Sequence, residues 1–181
     1  MTPEDIEDRW SRHNGTIPKR CPRCIPALSL LQPYAGLIVV DPSIAPRKVV
    51  ENRSRMVFRP PAGGTWVALH ASLGWYTGGD GWPERMDGVF PGWRNVADVR
   101  GALLGAFHVV SVVVFEEMPG PSVEERAARH LGPQAFGPVC YTIDDARPLA
   151  KPIPCKGAMG LWSVPVEHEA ALKALVPEAW T

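Results

Sequence analysis

Lys48-Val-Val-Glu-Asn-Arg53 sets four strongly hydrogen-bonding residues, Lys48, Glu51, Asn52 and Arg53, around two valines. These side chains suit a polar ligand. A carboxylate accepts from an amine, and a guanidinium forks onto a carbonyl or phosphate. A lysine withdrawn from water can serve as base or nucleophile. Lys48 and Glu51 are therefore the candidate catalytic pair. On an extended strand alternate residues share a face, so Glu51 and Arg53 point one way. Lys48 points the other way unless the preceding loop turns it. Two readings stand side by side. In one, Glu51 and Arg53 pair on a solvated strand face and contribute little to stability. In the other they form the floor of a pocket, Glu51 accepting from an exocyclic amine and Arg53 holding a carbonyl or phosphate.

Other groups could join such a pocket. His70 ends an alternating strand beside Ala71 and Ser72, as a structural hydrogen-bonder or as a pocket edge. His108 sits inside the most apolar run and reads as a core or sheet-face residue. Trp75, Tyr76, Trp82, Trp93 and Trp162 offer faces on which a base could stack, at about 1–3 kcal/mol each, or they pin loops to the core. Trp75, just past the His70 strand, is the stacking candidate, and Trp162 reads as core. Glu124 or Glu125, in a later helix, could supply a general acid or base. Cys21-Pro-Arg-Cys24 is half of a zinc site. A structural zinc takes four ligands, so His13, Cys140 or Cys155 would have to complete it through tertiary contact. The other reading is two reduced thiols.

Composition narrows the class. Nineteen basic and 19 acidic residues give a formal net charge of +0 over 181 residues. That argues against a broad non-specific nucleic-acid surface but not against a small pocket for one nucleotide. A basic rim of Arg47, Lys48, Arg53, Arg55 and Arg59 would mark a binding module. No apolar run reaches the roughly 20 residues of a membrane span. The opening MTPEDIEDRW lacks the basic and apolar regions of a signal peptide, so a cytoplasmic location is expected.

The 20 prolines and 17 glycines cut the chain into short elements. Residues 1–26 read as an arm carrying the CxxC pair, and residues 27–181 as one domain. Strands are expected at 27–31, 48–55, 65–72, 100–117, 139–150 and 157–165. Gly101 and Gly105 mark a bend or a close backbone approach. Helices are expected at 33–40, from Ser122 to Leu131 with a capping-box start, and at about 167–176. Residues 73–98 form a long irregular insertion rich in Gly and Trp. Strands with helices at only a few connections indicate an α+β, mixed or antiparallel barrel.

Five motifs now occur in a familiar order: Leu28-Ser-Leu-Leu-Gln-Pro-Tyr-Ala-Gly36, the Lys48–Arg53 run, a strand ending His70-Ala-Ser72, Gly101-Ala-Leu-Leu-Gly105, and Gly160-Leu-Trp162. Together they resemble the ASCH domain family, of the PUA-like superfold of small β-barrels, over about residues 27–165. The resemblance implies a cleft between the first helix and the barrel that takes RNA or a modified nucleoside or nucleotide. Lys48, Glu51, Asn52, Arg53, Arg55, His70, Ser72 and Trp75 are its expected ligand-binding residues. Some relatives are amidohydrolases acting on acetylated cytidine. They use a lysine, a threonine three residues later and an acid from a later helix; this chain keeps Lys48 but has Glu51 at the threonine position. The alternatives are thus a nucleoside amidohydrolase or ribonuclease in the same cleft, or a protein-interaction module using the Trp-rich loop. No obligate protein partner is inferred, and zinc at Cys21 and Cys24 is the one cofactor considered.

Overall fold

Apolar, β-rich segments separated by Pro and Gly form a single six-stranded mixed sheet in the computed structural model, which describes residues 24–115 and 122–180. Strand β1 spans Pro26–Gln32, followed by the short helix α1, Tyr34–Val39. Then come β2 (Val50–Arg53), β3 (Thr65–Trp75), helix α2 (Trp82–Val89) and a 3-10 turn, Trp93–Asn95. Strand β4 (Ala102–Val114), helix α3 (Val123–Leu131), strands β5 (Val139–Pro154) and β6 (Leu161–Ser163) and helix α4 (Val166–Leu175) complete the order. The strands pair as β2-β5-β4-β3-β1-β6. Among the described strands only β1 and β3 pair in parallel; the connection between them carries α1 and β2.

The architecture is therefore α+β, as its pattern of short elements suggests. Among the described residues no ladder joins the edge strands β2 and β6, so the sheet is open rather than closed into a barrel. The six-residue α1, roughly 9 Å long at 1.5 Å per residue, touches β1, β3, β4 and β5. Leu28 and Leu30, Val67 and Leu69, Phe107 and Tyr141 meet Ala35 and Ile38 of that helix in one buried core.

Several elements differ from their expected bounds. Strand β2 is four residues, not eight, and Lys48 and Val49 lie in the loop before it. Strand β3 runs three residues further, through Trp75, and β5 four further, through Pro154. A register shift between Leu103 and Gly105 leaves Pro152 of β5 outside the ladder, while Pro148 and Pro154 stay in register with Gly105 and Ala102. Gly105 makes the close approach that its position implies, since a Cβ there would lie 2.1 Å from the Arg147 carbonyl oxygen. The 73–98 insertion is not irregular throughout. It holds α2 and the 3-10 turn, with Met86, Phe90 and Trp93 buried against Leu37 of α1. Ser122 caps α3 as expected, its Oγ accepting from the Glu125 amide at 3.2 Å. No helix among the described residues is long and apolar enough to cross a membrane.

Candidate functional site

The site begins with Gln32, which is wholly buried. Its Oε1 accepts from the Gly36 amide at 2.9 Å, and its Nε2 donates to the Val99 carbonyl at 2.6 Å. The side chain thus takes up an otherwise unpaired amide in the first turn of α1, whose preceding residue, Pro33, has no capping side chain. Gly36 must be small, because a Cβ there would lie 2.5 Å from Val96 Cγ1 and 3.1 Å from Gln32 Oε1. The Gln-Pro-Tyr-Ala-Gly step is therefore a local device that seats α1 and aims Tyr34. The Tyr34 hydroxyl accepts from Trp82 Nε1 at 2.9 Å.

Helix α1 in turn holds Lys48, whose amide donates to the Leu37 carbonyl at 2.9 Å. Gln134 grips both of its neighbours: Oε1 accepts from the Val49 amide at 2.7 Å, and Nε2 donates to the Arg47 carbonyl at 3.0 Å. Asn52 answers from β2. Its Oδ1 accepts from the Phe136 and Gly137 amides, and its Nδ2 donates to the Gln134 carbonyl at 2.8 Å. Lys48 is thereby turned inward from the loop. Its ammonium bonds the Glu51 carboxylate, with Lys48 only 2% and Glu51 only 5% exposed. Arg53 Nη1 lies 3.6 Å from the other Glu51 oxygen. Burial drives the Lys48 ammonium pKa down from its ordinary value, and the Glu51 charge opposes that shift only in part.

This pair lies in a cleft of about 1110 Å³, large enough for a nucleotide-sized ligand. Aromatic rings flank it. Tyr34 sits 5.3 Å from Tyr76 and 6.4 Å from Phe136, and all three line the cleft. The Lys48 ammonium lies 5.5 Å from the Tyr34 ring centroid, and the Arg85 guanidinium lies 4.4 Å from that of Phe136.

Ser29, His70 and Ser72 line the cleft from β1 and β3. His70 is 2% exposed, and its Nε2 meets the Cys155 carbonyl at 2.9 Å. A carbonyl only accepts, so the ring proton sits on Nε2 and Nδ1 carries a lone pair. Burial pulls the His70 pKa below the ordinary imidazole value, so the ring is held neutral. The ring stands edge-on to Trp162, at 5.5 Å. Trp162 Nε1 donates to Ser29 Oγ at 3.0 Å.

The cleft thus gathers Lys48, Glu51, Asn52 and Arg53 with Arg55, His70 and Ser72. Asn52 reaches it with its amide already spent on the 134–137 backbone, so it shapes the cleft rather than offering a free group. Trp75 is not part of the lining. It packs toward the Leu37 cluster under Arg100, and Tyr76, its neighbour on the other face, lines the cleft instead. Strand alternation decides this, and β3 runs further than its sequence suggests. Glu124 and Glu125 also lie off the cleft, on the first turn of α3, where Glu124 faces Arg85 at 3.7 Å. The arginine rim is smaller than expected. Arg47 turns back to the Val40 and Ala146 carbonyls, Arg59 lies off the lining, and Lys48 is buried. His108 is a sheet-face residue paired with Asp144 at 2.7 Å. Trp162 is half-buried rather than core.

Sequence reasoning missed Tyr34, Phe136 and Gln134. The first was legible in the Gln-Pro-Tyr step; the other two sit in a loop more than 80 residues from Lys48 and carry no local signal. Cys21 and His13 lie outside the described residues. Among the described residues no group of three or more His, Cys, Asp or Glu could hold a metal, and Cys140 and Cys155 belong to different clusters. No protein-family profile matches this chain, and no curated protein matches it.

Proposed function

We propose that this chain is an ASCH-type, PUA-like protein that binds a nucleoside or nucleotide, free or within RNA, in the Lys48–Glu51 cleft. One observation carries the reading. A buried cation–carboxylate pair and a half-buried arginine lie in the same cleft as three aromatic rings. The pair offers directional donors and acceptors to a base edge, and Tyr34, Tyr76 and Phe136 offer faces for its ring. Arg53 and Arg55 at the cleft suit a carbonyl or phosphate. The packing of four strands against α1 is compatible with a PUA-like fold.

A second reading, hydrolysis of an amide on a nucleobase, is favoured by Lys48. It is desolvated, its pKa is lowered, and it touches a carboxylate, as a proton-transferring or nucleophilic lysine requires. Glu51 in place of threonine and the position of Glu124 and Glu125 off the cleft weigh against that activity. The interaction-module reading has less support. Trp93 is buried and Trp75 and Trp82 are half-buried against one another's cluster, so they do not form an exposed tryptophan patch.

The test is calorimetric titration of the full chain with a panel of nucleosides, nucleoside monophosphates and short RNAs, with mass-spectrometric detection of turnover. Binding that is lost in Lys48→Met and Glu51→Gln supports the cleft. Absence of binding and turnover across the panel overturns the reading.

A further inference from the structure

Three polar groups at the β1–β3 side of the cleft are incompletely used. His70 Nδ1 and Ser72 Oγ are buried and have no hydrogen-bond partner among the described residues. Ser29 Oγ accepts from Trp162 Nε1 and so keeps its own proton to donate. The three share one face. His70 and Ser72 are two apart on β3, and Ser29 is the registered partner of His70 on the parallel β1. A buried acceptor left unpaired costs about 1–3 kcal/mol, so the fold carries a standing preference for a group that would satisfy it.

The chemistry of that group follows from the ring. The Cys155 carbonyl fixes the proton on Nε2, so Nδ1 can only accept. Its lone pair repels phosphate or carboxylate oxygens and welcomes O–H or N–H. Ser72 and Ser29 can each exchange a hydrogen bond with a neutral hydroxyl. His70 and Ser72, on alternate positions of one strand and about 7 Å apart along it, can converge on a vicinal diol placed between them. Anionic groups are matched instead by the cations that line the cleft, Arg53, Arg55 and the exposed Lys156.

We propose that Ser29, His70 and Ser72 form a ribose-hydroxyl subsite, so that the cleft selects ribonucleosides over 2′-deoxyribonucleosides; this rests on the nucleoside reading above. The Gly157 backbone packs over the site, where an added Cβ would lie 2.5 Å from His70 Nδ1 and 2.6 Å from Ser29 Oγ. A sugar hydroxyl reaches Nδ1 by shifting the 156–160 turn outward. Lys156, Ala158 and Met159 of that turn are exposed, Met159 at 89%, so no buried side chain holds it down.

The experiment measures a ratio, which is insensitive to partial loss of folded protein. Cytidine, N4-acetylcytidine, uridine, adenosine and guanosine are titrated against their 2′-deoxy counterparts, with wild type, His70→Phe and Ser72→Ala. His70→Phe keeps a ring against Trp162 and removes the lone pair. The expected result is about tenfold or greater preference for the ribo form in wild type, as for one hydrogen bond made or lost. That preference falls several-fold in each variant. Equal affinity for ribo and deoxy forms in wild type, or a preference unchanged in both variants, overturns the subsite while leaving the nucleoside reading standing. No binding of any nucleoside overturns both.

Discussion

Lys48 and Glu51 are bonded ammonium to carboxylate although only Glu51 lies on a strand; Lys48 reaches it from the loop, fixed by Leu37 and Gln134. Removing one partner of a buried pair strands the other charge, at about 3–5 kcal/mol. Lys48→Met and Glu51→Gln should each destabilise by that order. The double variant should lose much less than the sum, with nucleoside binding abolished in all three. Chemical denaturation reads the stabilities, and additive single effects would refute the coupling.

The Gln134 side chain acts on the site through the backbone on either side of Lys48. Gln134→Ala removes the bonds to the Arg47 carbonyl and Val49 amide. A loss of about 1–3 kcal/mol in stability is expected, together with weaker ligand binding that Gln134→Glu does not fully restore, since a carboxylate cannot donate to the Arg47 carbonyl. Wild-type affinity in Gln134→Ala would show that Lys48 needs no such support.

Tyr76 and Trp75 are adjacent yet differ in role. Tyr76→Ala should weaken nucleoside binding by about 1–3 kcal/mol, the scale of one base stacked on one ring. Trp75→Ala should lower thermal stability, because it opens the Leu37 cluster, and should leave affinity near wild type. The reverse pattern in a titration would restore Trp75 as the stacking residue.

His70 makes stability depend on pH. Its folded pKa lies below the ordinary value of 6.5, chiefly because burial penalises the charged ring. The unfolded chain then binds more protons between the two values, so stability is complete above about 6.5 and falls as pH drops toward the folded pKa. His70→Phe should flatten that part of the pH–stability curve, measured by thermal melts from pH 8 to 5. An identical slope in the variant would exclude His70 as its source.

Gly36 sits where α1 meets the 96–99 segment. Gly36→Ala forces a Cβ to within 2.5 Å of Val96 Cγ1 and crowds Gln32 Oε1. Overpacking of this kind costs about 1–3 kcal/mol, more than the gain from replacing a helical glycine. A melting temperature equal to or above wild type would contradict the packing.

The amino-acid sequence alone determined the local elements of this protein and the polar residues of β2. Apolar runs between prolines set β1, β3, β4 and β5 close to their expected places, while β2 and β6 kept only the middle of theirs. Ser122 and Glu125 announced the start of α3, and the polar run Lys48–Arg53 announced the candidate site. Tertiary structure decided what those residues do. Alternation along the expected 48–55 strand would set Lys48 opposite Glu51, but Lys48 lies in the loop before β2, which Gln134 pins so that it turns inward, and a loop's direction is set by partners distant in sequence. Alternation from His70 and Ser72 sends Trp75 to the other face only if the strand continues that far, and the extension of β3 to Trp75 was not legible in the sequence. The open pairing of the sheet was equally hidden, because closure depends on whether two edge strands meet, and neither strand encodes that by its own pattern. His70 Nδ1 is the sharpest case: a histidine at a strand end is ordinary until a carbonyl 85 residues away fixes its proton on the other nitrogen.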